Sequence, residues 1–198
     1  MRGSAALAAI RDWSEGCGLD FRHDRASRFG AVFSTCGAYR YLLWRLPSPR
    51  AAVLGMGMLN PSTADERADD PTIARCRRIG TQSGHANLLV WNLFAYRATD
   101  PADLKRAAEP VGPHNDAAIA LALGLSRRTV LAWGNHASHL GRGAQVVARL
   151  PADTPAAVLG LTKQGQPRHP LYLATTIRPR RWRPAGLLSP VAECHAGE

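Results

Sequence analysis

Three apolar stretches of the chain stop at a side-chain amide. AAVLGMGML (51–59) runs into Asn60-Pro61, ANLLVW (86–91) into Asn92, and TVLAWG (129–134) into Asn135-His136. A carboxamide offers a donor and an acceptor at once. Set at a strand end, it can belong to a ligand site or simply close a turn. His136 reads as a helix-start residue or as support for such a site. His169, before a proline in RHPLYL, reads as a loop histidine or a site residue. Phe94, just after Asn92, reads as core or as a stacking surface for a bound ring. A second chemistry is possible after Asn60, where Asp65, Glu66, Asp69 and Asp70 crowd together in a basic chain. Two or three of these acids could hold a divalent metal through oxygen, as in a metal-dependent nuclease or nucleotide hydrolase. The competing reading is structural: Asp70-Pro71-Thr72 resembles a helix start, and Asp65 could pair with Arg67 or Arg97.

The elements that must position these residues follow from pattern. Residues 29–46, FGAVFSTCGAYRYLLWRL, read as a hairpin about a Cys-Gly turn, closed by Pro47 and Pro49. The stretch 51–59 reads as a buried strand, with glycines where something approaches closely. A helix follows Asp70-Pro71 and stops at Gly84; further helices are expected through NDAAIALALGL and over 138–150. Asp100-Pro101 opens a short turn or helix, and AAVLGL (156–161) reads as a short strand. Apolar runs alternating with helices predict an α/β fold with a mainly parallel central sheet, helices on both faces and the hairpin preceding it. Strand carboxyl ends line the ligand crevice of such a sheet, so Asn60, Asn92, Asn135 and His136 are expected on one rim.

The 198 residues predict one domain, with a core over about 29–175 and a basic C-terminal segment from 176. A hydrophobic fraction of 45% suits a globular core, and no apolar run nears the roughly 20 residues that span a bilayer. The opening MRGSAALAAIRDW reads as a short helix of a cytoplasmic protein, not a signal segment. Cys17, Cys36, Cys76 and Cys194 are dispersed without a C-x-x-C, which argues for reduced, mostly buried thiols. Neither a metal nor a cofactor is expected, and the chain is expected to be a monomer without membrane contact. The net charge of +10, carried almost entirely by arginine, makes a polyanion a natural partner.

In order, MLNPS, LLVWN, VLAWGNHA and RHPLYLA resemble the motifs of the uracil-DNA glycosylase superfamily. A closer resemblance is to a family of uncharacterised bacterial and phage domains with the signatures LNPSTAD…DPT, NLFAYRATDP, P-x-G-x-x-ND, WGN and PRHPLYL, over roughly 29–175. The glycosylase resemblance implies a three-layer αβα fold, DNA (single- or double-stranded) as partner, and excision of a flipped, modified or damaged base. It implies that Asn60 positions the hydrolytic water and that His169 donates to the base oxygen that gains charge. Asn92 would read the base edge, with Met58 and Phe94 around the ring. Leu173 falls where an apolar wedge enters the base stack, beside Tyr172. Ser62, Arg168, Arg178, Arg180 and Arg181 would contact the DNA backbone. His-Pro-Leu-Tyr departs from the family's His-Pro-Ser-Pro, and the acid cluster is foreign to it. A glycosylase-like module that recognises an unusual base without cutting it fits the same residues.

Overall fold

The structure, a computed structural model, describes residues 1–151, 154–171 and 173–183. Helix α1 (Gly3–Gly16) precedes strands β1 (Asp20–Asp24), β2 (Phe29–Phe33), β3 (Arg40–Arg45) and β4 (Val53–Met58). Helix α2 (Pro71–Gln82), strand β5 (Asn87–Asn92), helices α3 (Pro101–Arg106) and α4 (Asn115–Leu125) and strand β6 (Arg128–Leu131) follow. A 3-10 turn (Asn135–Gly141), helix α5 (Arg142–Ala148) and strands β7 (Ala156–Val158) and β8 (Arg180–Arg181) complete the described chain. No helix among the described residues is long and apolar enough to cross a membrane.

The strands form one mixed sheet in the order β1-β2-β3-β5-β4-β6-β7-β8. The block β5-β4-β6-β7 is parallel, while β1–β2, β2–β3, β3–β5 and β7–β8 pair antiparallel. The expected mainly parallel sheet preceded by a separate hairpin is therefore corrected: the fold is α/β, but the hairpin is part of the sheet. Strand β3 is buried along its whole length and β2 nearly so. A ribbon apolar on both sides must be covered on both, and pairing β3 against β5 achieves this. The short link from Arg45 to Val53 leaves no room for the crossover a parallel β3–β4 pair needs.

Alternate strand residues face opposite sides, so the sheet carries two cores. Leu89, Trp91, Leu131 and Val158 pack with Ile10 of α1, Ile119 of α4 and Val146 of α5. Met56, Val90, Val130 and Ala157 pack with Ile73, Cys76 and Ile79 of α2. Gly57 leaves room for the Trp91 indole, whose ring lies 2.5 Å from where a Cβ would stand. The close approach expected at the β4 glycines is thus made by a core tryptophan at Gly57 and by the Ser126 and Thr129 side chains at Gly55. Helix α2 begins as its residues dictate: the Asp70 carboxylate accepts from the Ile73 N–H at 2.8 Å, and Pro71 needs no partner for its nitrogen. The helix expected over 138–150 is instead the 3-10 turn followed by α5, because His139 and Leu140 leave helical geometry. Of the thiols, Cys76 is buried, Cys17 half-buried and Cys36 exposed; Cys194 lies outside the described residues.

Candidate active site

A cavity of about 420 Å³ opens at the carboxyl ends of β4, β5 and β6, on the face covered by α2. That volume falls within the range of small-molecule sites. Met58, Asn60, Ser62, Asp70, Asn92, Asn135, His136 and His169 all line it. The sequence motifs that end three strands, the amino end of α2 and the late loop thus meet in one place.

Asn92 ends β5 opposite Met58 and is fully buried. Asn115 donates from Nδ2 to the carbonyls of Asn92 (3.1 Å) and Leu93 (2.9 Å), and Arg142 donates to the Leu93 carbonyl at 2.9 Å. The backbone is therefore clamped, and the P-x-G-x-x-ND segment supplies the clamp. Yet neither Nδ2 nor Oδ1 of Asn92 has a hydrogen-bond partner among the described residues. A buried amide left with donor and acceptor open costs about 1–3 kcal/mol per group. Such an orphan at a cavity wall calls for a functional explanation.

Asn60 is oriented differently. Its Nδ2 donates to the carbonyls of Pro61 (3.0 Å) and Ala98 (2.6 Å). Two carbonyl partners fix which end of the amide is nitrogen, so Oδ1 is the end left to accept. The arrangement suits holding a water by one of its hydrogens.

His169 is brought over the strand ends by the Trp133-Gly134 pair. The Trp133 indole donates to Gln166 Oε1 at 3.2 Å, and the Gly134 N–H donates to the Pro167 carbonyl at 2.8 Å. Arg75 of α2 donates to the Leu173 and Ala174 carbonyls and fastens the loop's far end. The Leu171 N–H donates to His169 Nδ1 at 3.3 Å, which leaves the proton of a neutral ring on Nε2. Burial pushes the His169 pKa below its ordinary value, partly offset by the charge of Asp70. The ring is thus held as a neutral Nε2–H donor.

Three of the four clustered acids have structural partners, while Glu66 lies 3.8 Å from Arg67 and keeps a buried Oε2 without a hydrogen-bond partner among the described residues. Asp65 Oδ1 accepts from the N–H groups of Arg67 and Ala68, both at 2.8 Å, and these bonds hold its pKa below the usual carboxylate range. Asp69 pairs with Arg45 and Arg77, each at 2.7 Å, and Asp70 caps α2. The expected pairing of Asp65 with Arg67 or Arg97 is replaced by this turn; Arg97 instead donates to the Gly37 carbonyl. No group of three or more potential metal ligands lies together among the described residues.

Several expected site residues lie elsewhere. Phe94 is fully buried in the first core, because the chain after Asn92 continues inward past Leu59; the aromatic residue that lines the cavity is Trp133. Leu173 packs half-buried against the second core. Arg168 is exposed beside Gly160, and exposed Arg178 donates to Gln82 at 3.0 Å. Arg180 and Arg181 are exposed on β8. Tyr172 lies outside the described residues, as does the basic segment beyond 183. Missed in the sequence reading were Arg40 and Thr72, which line the cavity, and Asn115, which clamps it. Arg40 is fully buried, and desolvation lowers its pKa to about 10 against the opposing charge of Asp70. A charged residue heading the apolar run YLLW was the available signal.

No curated protein and no solved structure matches the chain. A family described as "Protein of unknown function (DUF1643)" matches over residues 40–171, a span that includes Arg40, the three strand-end amides and His169. The chain belongs to the DUF1643 family.

Proposed function

We propose that the chain is a cytoplasmic DNA glycosylase that hydrolyses the N-glycosidic bond of a flipped, modified or damaged base. The observation that carries this reading is the Asn92 carboxamide, fully buried at the cavity wall with its donor and its acceptor both unpartnered among the described residues. An amide or imide edge of a base satisfies both at once. The resemblance to the uracil-DNA glycosylase superfamily supports the same reading through its motif order and through the parallel β5-β4-β6-β7 block, whose carboxyl ends bear the cavity.

In this mechanism Asn60 Oδ1 accepts a hydrogen bond from the attacking water and aims its oxygen at C1′ of the sugar. The water oxygen bonds to C1′, the electron pair of the C1′–N bond leaves with the base, and the surplus water proton passes to solvent or to the base. His169 Nε2–H donates to the base oxygen on which charge builds. Asp70 sets a negative charge in the same cavity, which favours the oxocarbenium-like sugar. Extruding a base costs a few kcal/mol; contacts from Arg168, Arg178, Arg180 and Arg181 to phosphates would offset this.

A screen of end-labelled oligonucleotides tests the proposal. They carry uracil, hypoxanthine, alkylated bases or bulky modified pyrimidines, in single and double strands, with alkali to reveal abasic sites and each reaction run with and without EDTA. Abasic sites are expected for at least one base. Strand cuts that EDTA abolishes would move the activity to a metal-dependent nuclease.

A further inference from the structure

Three arginines are buried in the described chain: Arg40, Arg45 and Arg142. Arg45 pairs with Asp69 and also donates to the carbonyls of Trp44, Asp65 and Ala68. Arg142 pairs with Asp116 and donates to the Leu93 carbonyl. Arg40, at the start of β3 and 2% exposed, takes part in no ion pair among the described residues. Its Nη1 donates to the Ala64 carbonyl, and its Nε has no partner. A guanidinium withdrawn from water without a counter-charge is among the costlier arrangements a fold can hold. Here it lines the same cavity as Asn92, whose amide is also open. Asp70 lines that cavity too, but its carboxylate accepts from the Ile73 N–H and, like Asp65, it acts on Arg40 through space.

We propose that the ligand of this cavity carries an anionic oxygen group, either a carboxylate on the base or the phosphate of a nucleotide, and that Arg40 is its counter-ion. The fork of a guanidinium matches either group through two parallel hydrogen bonds. The inference rests on the cavity being a nucleobase site, and it narrows the ligand from any flipped base to one bearing or adjoining negative charge. Neutral unmodified bases are then poor ligands, because they leave the Arg40 charge unanswered.

Calorimetric titration of the full chain tests this with matched pairs. The ligands are the four common deoxynucleosides against their 5′-monophosphates, and deoxyuridine and deoxycytidine against their 5-carboxy derivatives. In at least one pair the anionic member is expected to bind tenfold or more tighter, and the pair that responds identifies the source of the charge. Arg40→Gln is expected to abolish that preference, the anionic member losing affinity and the neutral member, no longer facing an unanswered charge, binding at least as well as to wild type. Arg40→Lys, which keeps the charge but not the fork, is expected to retain part of it. The wild-type comparison stands even if Arg40→Gln does not fold. Equal affinity within every pair, binding of no ligand, or a preference that survives in a folded Arg40→Gln protein overturns the proposal. If Asn92→Ala leaves every affinity unchanged while the Arg40-dependent preference persists, the base-reading role fails and the Arg40 assignment stands.

Discussion

The Gly134 N–H donates to the Pro167 carbonyl at 2.8 Å, and Gly134 itself stands at φ +77° and ψ −172°. This single relationship joins the end of β6 to the late loop and sets His169 over the strand ends. A Cβ at Gly134 would sit 3.7 Å from the His169 Cβ, an ordinary contact, so space does not demand glycine here. The backbone does, since that region is essentially restricted to glycine. Gly134→Ala is expected to lower stability by about 1–3 kcal/mol and to displace His169. Urea denaturation measures the first effect and base release the second; a variant as stable and active as wild type would show that the turn is not what positions the histidine.

Asn92 is expected to separate function from stability. Removing a buried, unpaired amide relieves a desolvation cost, so Asn92→Leu should leave stability unchanged or raise it by about 1 kcal/mol, while base binding falls at least a hundredfold. Equilibrium unfolding beside ligand titration checks both halves. A large loss of stability would instead mark Asn92 as a structural residue.

His169 predicts a pH dependence of stability. Its pKa in the fold lies below the ordinary 6.5 because burial disfavours the charged ring. The unfolded chain therefore binds this proton first as pH falls. Its contribution is fully present above about 6.5, declines as pH drops from there toward the depressed value, and is level below it. Unfolding free energies of wild type and His169→Gln measured from pH 7.5 down to pH 5 should show the difference shrinking over that window. A difference that grows on acidification would mean the folded state holds the ring protonated.

Asp69 should matter for folding and not for metal. Replacing it with Asn strips the partner from Arg45, whose side chain is 1% exposed, at an expected cost of about 3 kcal/mol. Thermal denaturation with and without EDTA tests this: the variant should melt lower, and EDTA should leave wild type unchanged. A metal-dependent melting temperature would reopen the acid cluster as a ligand set.

The strand ends were legible before the fold was seen, because an apolar run closed by a polar residue marks both a strand and where it stops. Asn60, Asn92, Asn135 and His136 do share one cavity with His169. The capped start of α2 was equally readable, since Asp70-Pro71 acts locally. What escaped were consequences of distant pairing. That β3 lies against β5 depends on burial of both faces of a hairpin, a tertiary fact with no local marker. Arg40 opens β3 opposite Phe33 of β2, and its burial follows from where β3 sits in the sheet. Of the two readings of Phe94 the core one holds, and the place beside the base fails, because its N–H donates to the Leu59 carbonyl and the chain turns inward there.

Whether this cavity breaks an N-glycosidic bond is decided by abasic-site formation by wild type, Asn60→Ala and His169→Ala on the best base from the oligonucleotide screen, in EDTA, with DNA affinity and melting temperature followed alongside. Metal-independent abasic sites are expected from wild type, with a loss of at least a hundredfold in both variants and with folding and DNA affinity largely retained. Cleavage by both variants at the wild-type rate would contradict this mechanism.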